Sequence, residues 1–286
     1  MQIDYTQLQT FITCPMKYNL KFIEGLKKRD MDERHVDIEF GQRVHKGLEL
    51  LYMKEPMKKV LSVFDTFVDL PPEVEKNKTK ENGVKLLEGY IEHYKTIDKE
   101  IEIIDVEVSD TIEIAPNLLW QVKLDTVVKM RDNIYVLEHK TTKRLDYRYF
   151  LRYSPNMQVS GYTYYALKKY KQCSGCMLNV LQSGYRSRAY KGEPAGFNSK
   201  YQREIINRTV EQLEDFRLNA VLWSDRLNKE LVHGWSVGKN EDACHQFRGC
   251  SFKEICMTSR GDVLDNEIVE TLYERINPLE YLQSGN

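Results

Sequence analysis

Residues 118–140 read LLWQVKLDTVVKMRDNIYVLEHK. Leu118 to Met130 alternates apolar and polar side chains, and Asn133 to Lys140 follows after an Arg131-Asp132-Asn133 turn. A period of two is the signature of a strand with one face buried. Immediately upstream, Ile101 to Ile114 is rich in β-branched residues and alternates in the same way. Three such strands joined by short turns predict an antiparallel meander.

Outward from the meander the period changes to that of a helix. Tyr5 to Ile12 carries apolar residues at helical spacing and stops near Cys14-Pro15. Phe40 to Met53 places Val44, Leu48 and Leu51 on one face, and Val84 to Tyr94 follows a Pro71 to Asn82 loop. Downstream, a helix is expected over about Pro155 to Tyr170, a strand near Met177 to Leu181, and a long helix from about Tyr201 to Asn228. The order of elements predicts an α/β fold with one mixed sheet flanked by helices and a helical N-terminal region. The sequence contains no internal repeat.

The ends of the second and third strands carry chemistry. Asp125 closes one apolar run, and Glu138-His139-Lys140 closes the next. Residues i and i+2 of a strand share a face, so Glu138 and Lys140 point the same way. If the strands pair through the turn at 131–133, Asp125 comes beside Glu138. Two adjacent carboxylates repel unless a cation lies between them, and hard oxygen donors suit Mg²⁺. Lys140 is then placed to orient or deprotonate a water, or to stabilise charge on a phosphate. A lone Glu-x-Lys is commonly a solvated ion pair worth little, so the weight falls on its surroundings.

Composition excludes some classes. The 286 residues are 41% hydrophobic, enough for a sizeable core, and 42 basic against 43 acidic residues give a net charge of −1. That is no general polycation for coating nucleic acid, although a local basic groove is compatible with it. No apolar run reaches the length of a membrane span, and Met1 to Tyr5 lacks a secretory pattern, so a cytoplasmic, membrane-free protein is expected. Of six cysteines, Cys244-x5-Cys250-x5-Cys256 stands close to Phe247, Gly249 and Phe252. Three nearby thiolates favour a soft metal, with Cys14 the fourth ligand, or with His245 if zinc is bound by three cysteines and a histidine. Cys173-x-x-Cys176 lacks a second pair and reads as core or edge.

Asp125 followed by Glu138-His139-Lys140 resembles the D…(D/E)-x-K core of PD-(D/E)XK nucleases, in particular the RecB-type branch with its CRISPR-associated and phage exonucleases. Four further elements occur in that branch's order: Cys14-Pro15-x-x-Tyr18, Gly41-x-x-x-His45, Gln158-x-x-x-Tyr162 and the closing cysteines. The resemblance spans about residues 5 to 257 and departs at Val122, where the family often has a small residue.

The resemblance implies a restriction-endonuclease-like core in one domain over 1–286, with a helical insertion at about 46–100, the core at about 101–230 and a cysteine segment at about 240–258 joined to Cys14. It implies Mg²⁺ or Mn²⁺ held by His45, Asp125, Glu138 and the His139 backbone carbonyl, with Lys140, Gln158 and Tyr162 completing the catalytic set. Glu107 is a secondary candidate. It also implies a [4Fe–4S] cluster on Cys14, Cys244, Cys250 and Cys256, with zinc as the alternative. The activity implied is hydrolysis of DNA, by an exonuclease acting on single strands or ends, in recombination, repair or phage DNA metabolism. The competing class is a binding module of the same fold that holds DNA or a partner without cutting it.

The run from Lys143 to Tyr153 interleaves cations with aromatics, a composition suited to single-stranded DNA. Arg144, Arg148 and Arg152, spaced by four, with Tyr147, are its candidate contacts; Tyr185 to Lys191 is a second candidate, on a loop. No Walker A sequence is present, so any ATP-driven unwinding falls to a helicase or recombination partner.

Overall fold

The computed structural model describes residues 1–29, 33–189, 192, 195–233, 238–259 and 263–277. In chain order the elements are β1 (Gln2–Asp4), α1 (Tyr5–Thr13), α2 (Pro15–Tyr18), β2 (Leu26–Lys28), α3 (Glu33–Tyr52), α4 (Met57–Leu61) and α5 (Lys80–Tyr94). There follow β3 (Ile101–Ala115), β4 (Leu118–Met130), β5 (Asn133–Thr142), α6 (Arg148–Leu151), α7 (Met157–Tyr170), β6 (Gly175–Arg186) and β7 (Gly196–Ile206). The last are α8 (Val210–His233), α9 (Lys253–Thr258), α10 (Asn266–Leu272) and β8 (Tyr273–Arg275).

Two compact units divide the chain: Asp32–Asp110 with Val122–Leu213, and Met1–Met31 with Thr111–Gln121 and Glu214–Asn286. In the first, β3 and β5 both pair with β4. β4 and β5 are antiparallel, β5 and β6 parallel, and β6 and β7 antiparallel, so the sheet is mixed. The β4–β5 turn needs Arg131 at φ 55°, a left-handed conformation of low but tolerable cost in a tight turn.

The period of two places Val128, Tyr135, Leu137, Met177 and Leu181 on one face of the sheet, packed with Phe40, Val44 and Leu48 of α3 and Leu86, Leu87 and Tyr90 of α5. The alternate residues of β5, Glu138 and Lys140, turn toward α7 instead, where Gln158 meets Lys140. Asn156 caps α7 by accepting from the Val159 N–H, and Thr79 caps α5 by accepting from Asn82. Burial of these two apolar layers is the main source of the unit's stability.

The smaller unit holds β1 parallel to the start of β4, from Gln2↔Leu119 to Asp4↔Gln121, and the two-stranded antiparallel β2–β8 sheet. Asp4 and Gln7 form a reciprocal capping box at the start of α1. Its core gathers Cys14, Met16, Leu20, Leu26, Phe252, Ile255 and Tyr273.

One expected element is wrong in kind. Tyr201 to Ile206 belongs to β7, and the long helix begins only at Val210. Thr209 caps it, with Gln212 N–H donating to Thr209 Oγ1 at 3.2 Å and Thr209 N–H to Gln212 Oε1 at 3.0 Å. β6 also runs beyond Leu181 to Arg186, so Tyr185 and Arg186 are strand residues rather than loop, while Tyr190 and Lys191 lie outside the described residues. Among the described residues, no helix is long and apolar enough to cross a membrane.

Candidate active site

The site lies in the larger unit, where β4 and β5 part. Their last paired Cα positions are Thr126↔Leu137. One residue further on, the His139 backbone N–H donates to Asp125 Oδ2 at 2.7 Å, so a side-chain carboxylate takes the place of a ladder carbonyl. Asp125 Oδ1 meets His45 Nδ1 at 3.2 Å. His45 reaches it from α3, which passes close to β5: a Cβ added to Gly41 would stand 3.3 Å from Thr141 Oγ1. Glycine one turn before His45 therefore lets the helix approach the strand end.

Glu138 and Lys140 share a face as their spacing requires. Lys140 Nζ donates to Glu138 Oε1 at 2.6 Å and to Gln158 Oε1 at 3.2 Å. Gln158 Nε2 donates to Tyr162 Oη at 2.9 Å, one turn along α7. The structure thus gathers two hydrogen-bonded groups at one strand end, His45–Asp125–His139 and Glu138–Lys140–Gln158–Tyr162, which the β5 backbone joins. Glu138 Oε2 is buried and has no hydrogen-bond partner among the described residues.

The electrostatics follow from burial and from the two carboxylates. Burial pushes Glu138 up, to about 7, and the Asp125 charge adds to it; Lys140 opposes without prevailing. Burial alone would also raise Asp125, but His45 and then His139 outweigh it and hold the carboxyl below its ordinary value. Burial lowers His45, yet Asp125 and Glu138 prevail and its pKa rises. Burial would lower Lys140, whereas Glu138 beside it keeps the ammonium well above its usual range. Two buried carboxylates of which one is driven toward its neutral form are a site that favours a cation.

Glu107 lies close enough to Asp125 for its pKa to be raised, first by burial and then by that charge. It adopts φ 53° within β3, a strained conformation for a glutamate. Tyr153 ends the basic and aromatic run, with no part of its own legible in the sequence. Its phenol stands near enough to Lys140 for the two to shift one another, and its hydroxyl is 3.4 Å from that of Tyr149.

The basic run past the site divides by exposure. Tyr147 is 75% exposed, with the Arg148 guanidinium 5.4 Å from its ring centre, and Arg144 pairs with Asp146 at 3.1 Å. Arg152 lies 3.8 Å over the ring of Tyr149, which is itself buried. Only Arg148–Leu151 is helical, so the three arginines do not share one continuous helix face.

In the smaller unit Cys14 is buried, and Cys250 and Cys256 pack against the same apolar core. Burial raises the thiols of Cys250 and Cys256, and the neighbouring cysteines, Cys14 and Cys244 among them, push in the same direction. Among the described residues, no three His, Cys, Asp or Glu side chains converge tightly enough to hold a metal ion as they stand. For Mg²⁺ or Mn²⁺ the oxygen-rich donor set and the orphaned Glu138 Oε2 fit. The four thiols show no ligating arrangement for a cluster. Cys176 is core and Cys173 half-buried.

The chain resembles known proteins in the same sense. The structure of a protein named "Putative exonuclease" from Eubacterium rectale superposes with a TM-score of 0.51 at 13% identity, over 94% of this chain and 92% of that one. That likeness shows the fold. The structure of SSO0001 covers 88% of this chain and 92% of its own at 13% identity, with a TM-score of 0.32, too loose to weigh. No curated protein sequence matches. The family model of the PD-(D/E)XK nuclease superfamily matches residues 2–257, nearly the whole chain. With the Asp125, Glu138 and Lys140 constellation at the parting strand ends, the match makes this chain a member of the PD-(D/E)XK nuclease superfamily.

Proposed function

We propose that the chain is a divalent-metal-dependent deoxyribonuclease that attacks single-stranded DNA or DNA ends. The observation that carries this reading is Glu138 Oε2, buried and unpartnered beside a second carboxylate. A residue placed so at a cost to stability is better explained by a ligand than by packing.

His45, Asp125, Glu138 and the His139 carbonyl are the groups that would hold Mg²⁺ or Mn²⁺. Bound there, the ion would polarise the scissile phosphate as a Lewis acid. The chain's own residues supply the rest. The Lys140 ammonium has three hydrogens, of which Glu138 and Gln158 take two. The third is available to a phosphate oxygen or to the attacking water. Gln158, held by Tyr162, keeps Nζ from swinging away from that position. Tyr153 adds an apolar and hydroxyl wall beside Lys140.

Tyr147 with Arg148 offers an exposed ring and a cation side by side, a platform for a base and its phosphate, and Arg144 and Arg152 extend the positive rim. Recombination, repair or phage DNA metabolism suits such an activity. The four cysteines, Cys14, Cys244, Cys250 and Cys256, are the groups we assign to a [4Fe–4S] cluster, with zinc as the alternative, because Cys14, Cys250 and Cys256 share one apolar core and Cys244 lies near enough to act on the Cys256 thiol. Visible absorbance of anaerobically purified protein separates the two, since zinc is colourless. A binding module has no use for a buried carboxylate that pairs one oxygen with a lysine and leaves the other unpartnered. Cleavage of labelled DNA by wild type and Lys140→Ala, with Mn²⁺ or with EDTA, distinguishes the readings.

A further inference from the structure

On the side of β5 away from Lys140, three residues form a row across the sheet. His139 is the Cα partner of Asn179 on β6, and Asn179 is that of Arg203 on β7. Directly paired residues share a face, so their side chains can meet. Asn179 is fully buried, and the Arg203 side chain is only 9% exposed. A buried guanidinium is costly unless every donor is used.

Here all three nitrogens donate. Arg203 Nε donates to Asn179 Oδ1 at 3.2 Å, and Nη2 to the hydroxyls of Tyr52 at 2.9 Å and Tyr90 at 2.7 Å. Both terminal nitrogens reach Asp98, Nη2 at 3.0 Å, and the plane lies 3.7 Å over Tyr94. Asn179 Nδ2 spends its two hydrogens on Tyr90 Oη at 3.0 Å and His139 Nδ1 at 2.7 Å. An amide nitrogen cannot accept, so Nδ1 accepts and the ring proton of His139 sits on Nε2.

The row also reaches α3. Tyr52 and His45 are seven residues apart on that helix, two turns along one side. Both touch the His139 ring: Tyr52 stacks on it at 5.5 Å and 17°, and His45 meets it edge-on at 6.0 Å and 85°. One guanidinium therefore holds Tyr52 of α3 directly and His139 of β5 through Asn179.

We propose that Arg203 is a positioning residue for the active site, fixing α3 against β5 and so holding His45 in reach of Asp125. The inference rests on the reading of that site as a divalent-metal centre. Sequence alone places Arg203 in a predicted helix, and its side chain touches neither His45 nor Asp125. Its effect must run through Tyr52 and His139.

The test is Mn²⁺ binding measured by calorimetry, with DNA cleavage alongside, for wild type, Arg203→Lys, Tyr52→Phe and His45→Ala. Lysine keeps the charge for Asp98 and loses the fork that spans Tyr52 and Asn179. Arg203→Lys is expected to bind Mn²⁺ about 10-fold more weakly or worse, as outer-shell partners do, and Tyr52→Phe to weaken it in the same direction. In a His45→Ala background Arg203→Lys should add nothing further, which a general loss of stability would not produce. Wild-type affinity in folded Arg203→Lys, or additive losses in the double variant, overturns the inference. If Arg203→Lys does not fold, Tyr52→Phe decides by the same two comparisons. Wild type that neither binds Mn²⁺ nor cuts overturns the metal reading and this inference together.

Discussion

The His139 amide donates to Asp125 Oδ2 at the point where the β4–β5 ladder ends. Asp125 therefore has two tasks, closing a broken ladder and carrying negative charge into the site. Asp125→Asn separates them. The amide keeps an oxygen for the His139 N–H and loses the charge. Folding stability should change by only about 1 kcal/mol, while metal-dependent cleavage falls at least about 100-fold. Asp125→Ala leaves the buried N–H unsatisfied and should cost about 1–3 kcal/mol as well. Denaturant titration beside an activity assay reads both quantities; equal stability of the two variants contradicts the ladder role.

Gly41 predicts a steric dependence. Its added Cβ would stand 3.3 Å from Thr141 Oγ1, a side-chain atom that can give by a few tenths of an ångström. Gly41→Ala should be near neutral, the contact offset by up to about 1 kcal/mol of better helix propensity. Gly41→Leu should push α3 away and lower cleavage about 10-fold or more while the protein stays folded. Full activity in Gly41→Leu, with folding checked by circular dichroism, contradicts the close-approach argument.

The raised carboxylate gives a pH dependence with a definite sign. Glu138 is pushed up to about 7 from an ordinary value near 4.5, and His45 is raised as well. A group whose folded pKa is raised contributes stability below its unfolded pKa and loses it as pH rises through the folded one. His139, which burial holds below its ordinary value of 6.5, works in the other direction at lower pH, so in EDTA stability should fall between about pH 6.5 and pH 8, and Glu138→Gln should flatten that slope. Thermal unfolding across this range checks it; a slope unchanged by Glu138→Gln contradicts the assignment.

Metal should act in the opposite direction. An ion that binds the folded chain alone stabilises it, by about 2.7 kcal/mol at a hundredfold excess over its dissociation constant. Mn²⁺ should thus raise the unfolding temperature of wild type at pH 8, and less so that of Glu138→Gln. An equal rise in both would place the ion elsewhere.

The fold was legible where side-chain period and burial coincide. Leu118 to Lys140 alternates because one face of each strand packs on α3 and α5, and the shared face of Glu138 and Lys140 follows from the same period. β7 was not legible in that way. Its outward positions are exposed and polar, so Tyr201 to Ile206 merged with the helix behind it. The Thr209-x-x-Gln212 cap was the available signal for the boundary. Arg203 reads as a surface residue because its partners, from Tyr52 to Asn179, come from three other elements and a turn. Strand register brings Asn179 beside it, and the packing of α3 and α5 on the sheet brings Tyr52 and Tyr90. Tyr153 was within a run legible as basic and aromatic, but its place beside Lys140 depends on how the chain folds back after β5.

The central claim is tested most directly by cleavage of end-labelled single- and double-stranded DNA with Mn²⁺ or Mg²⁺, comparing wild type, Lys140→Ala and Glu138→Gln. The account predicts cutting by wild type that EDTA abolishes, and a loss of at least about 100-fold in both folded variants. Folded wild type that binds DNA and Mn²⁺ without cutting, or variants that cut as well as wild type, would contradict it.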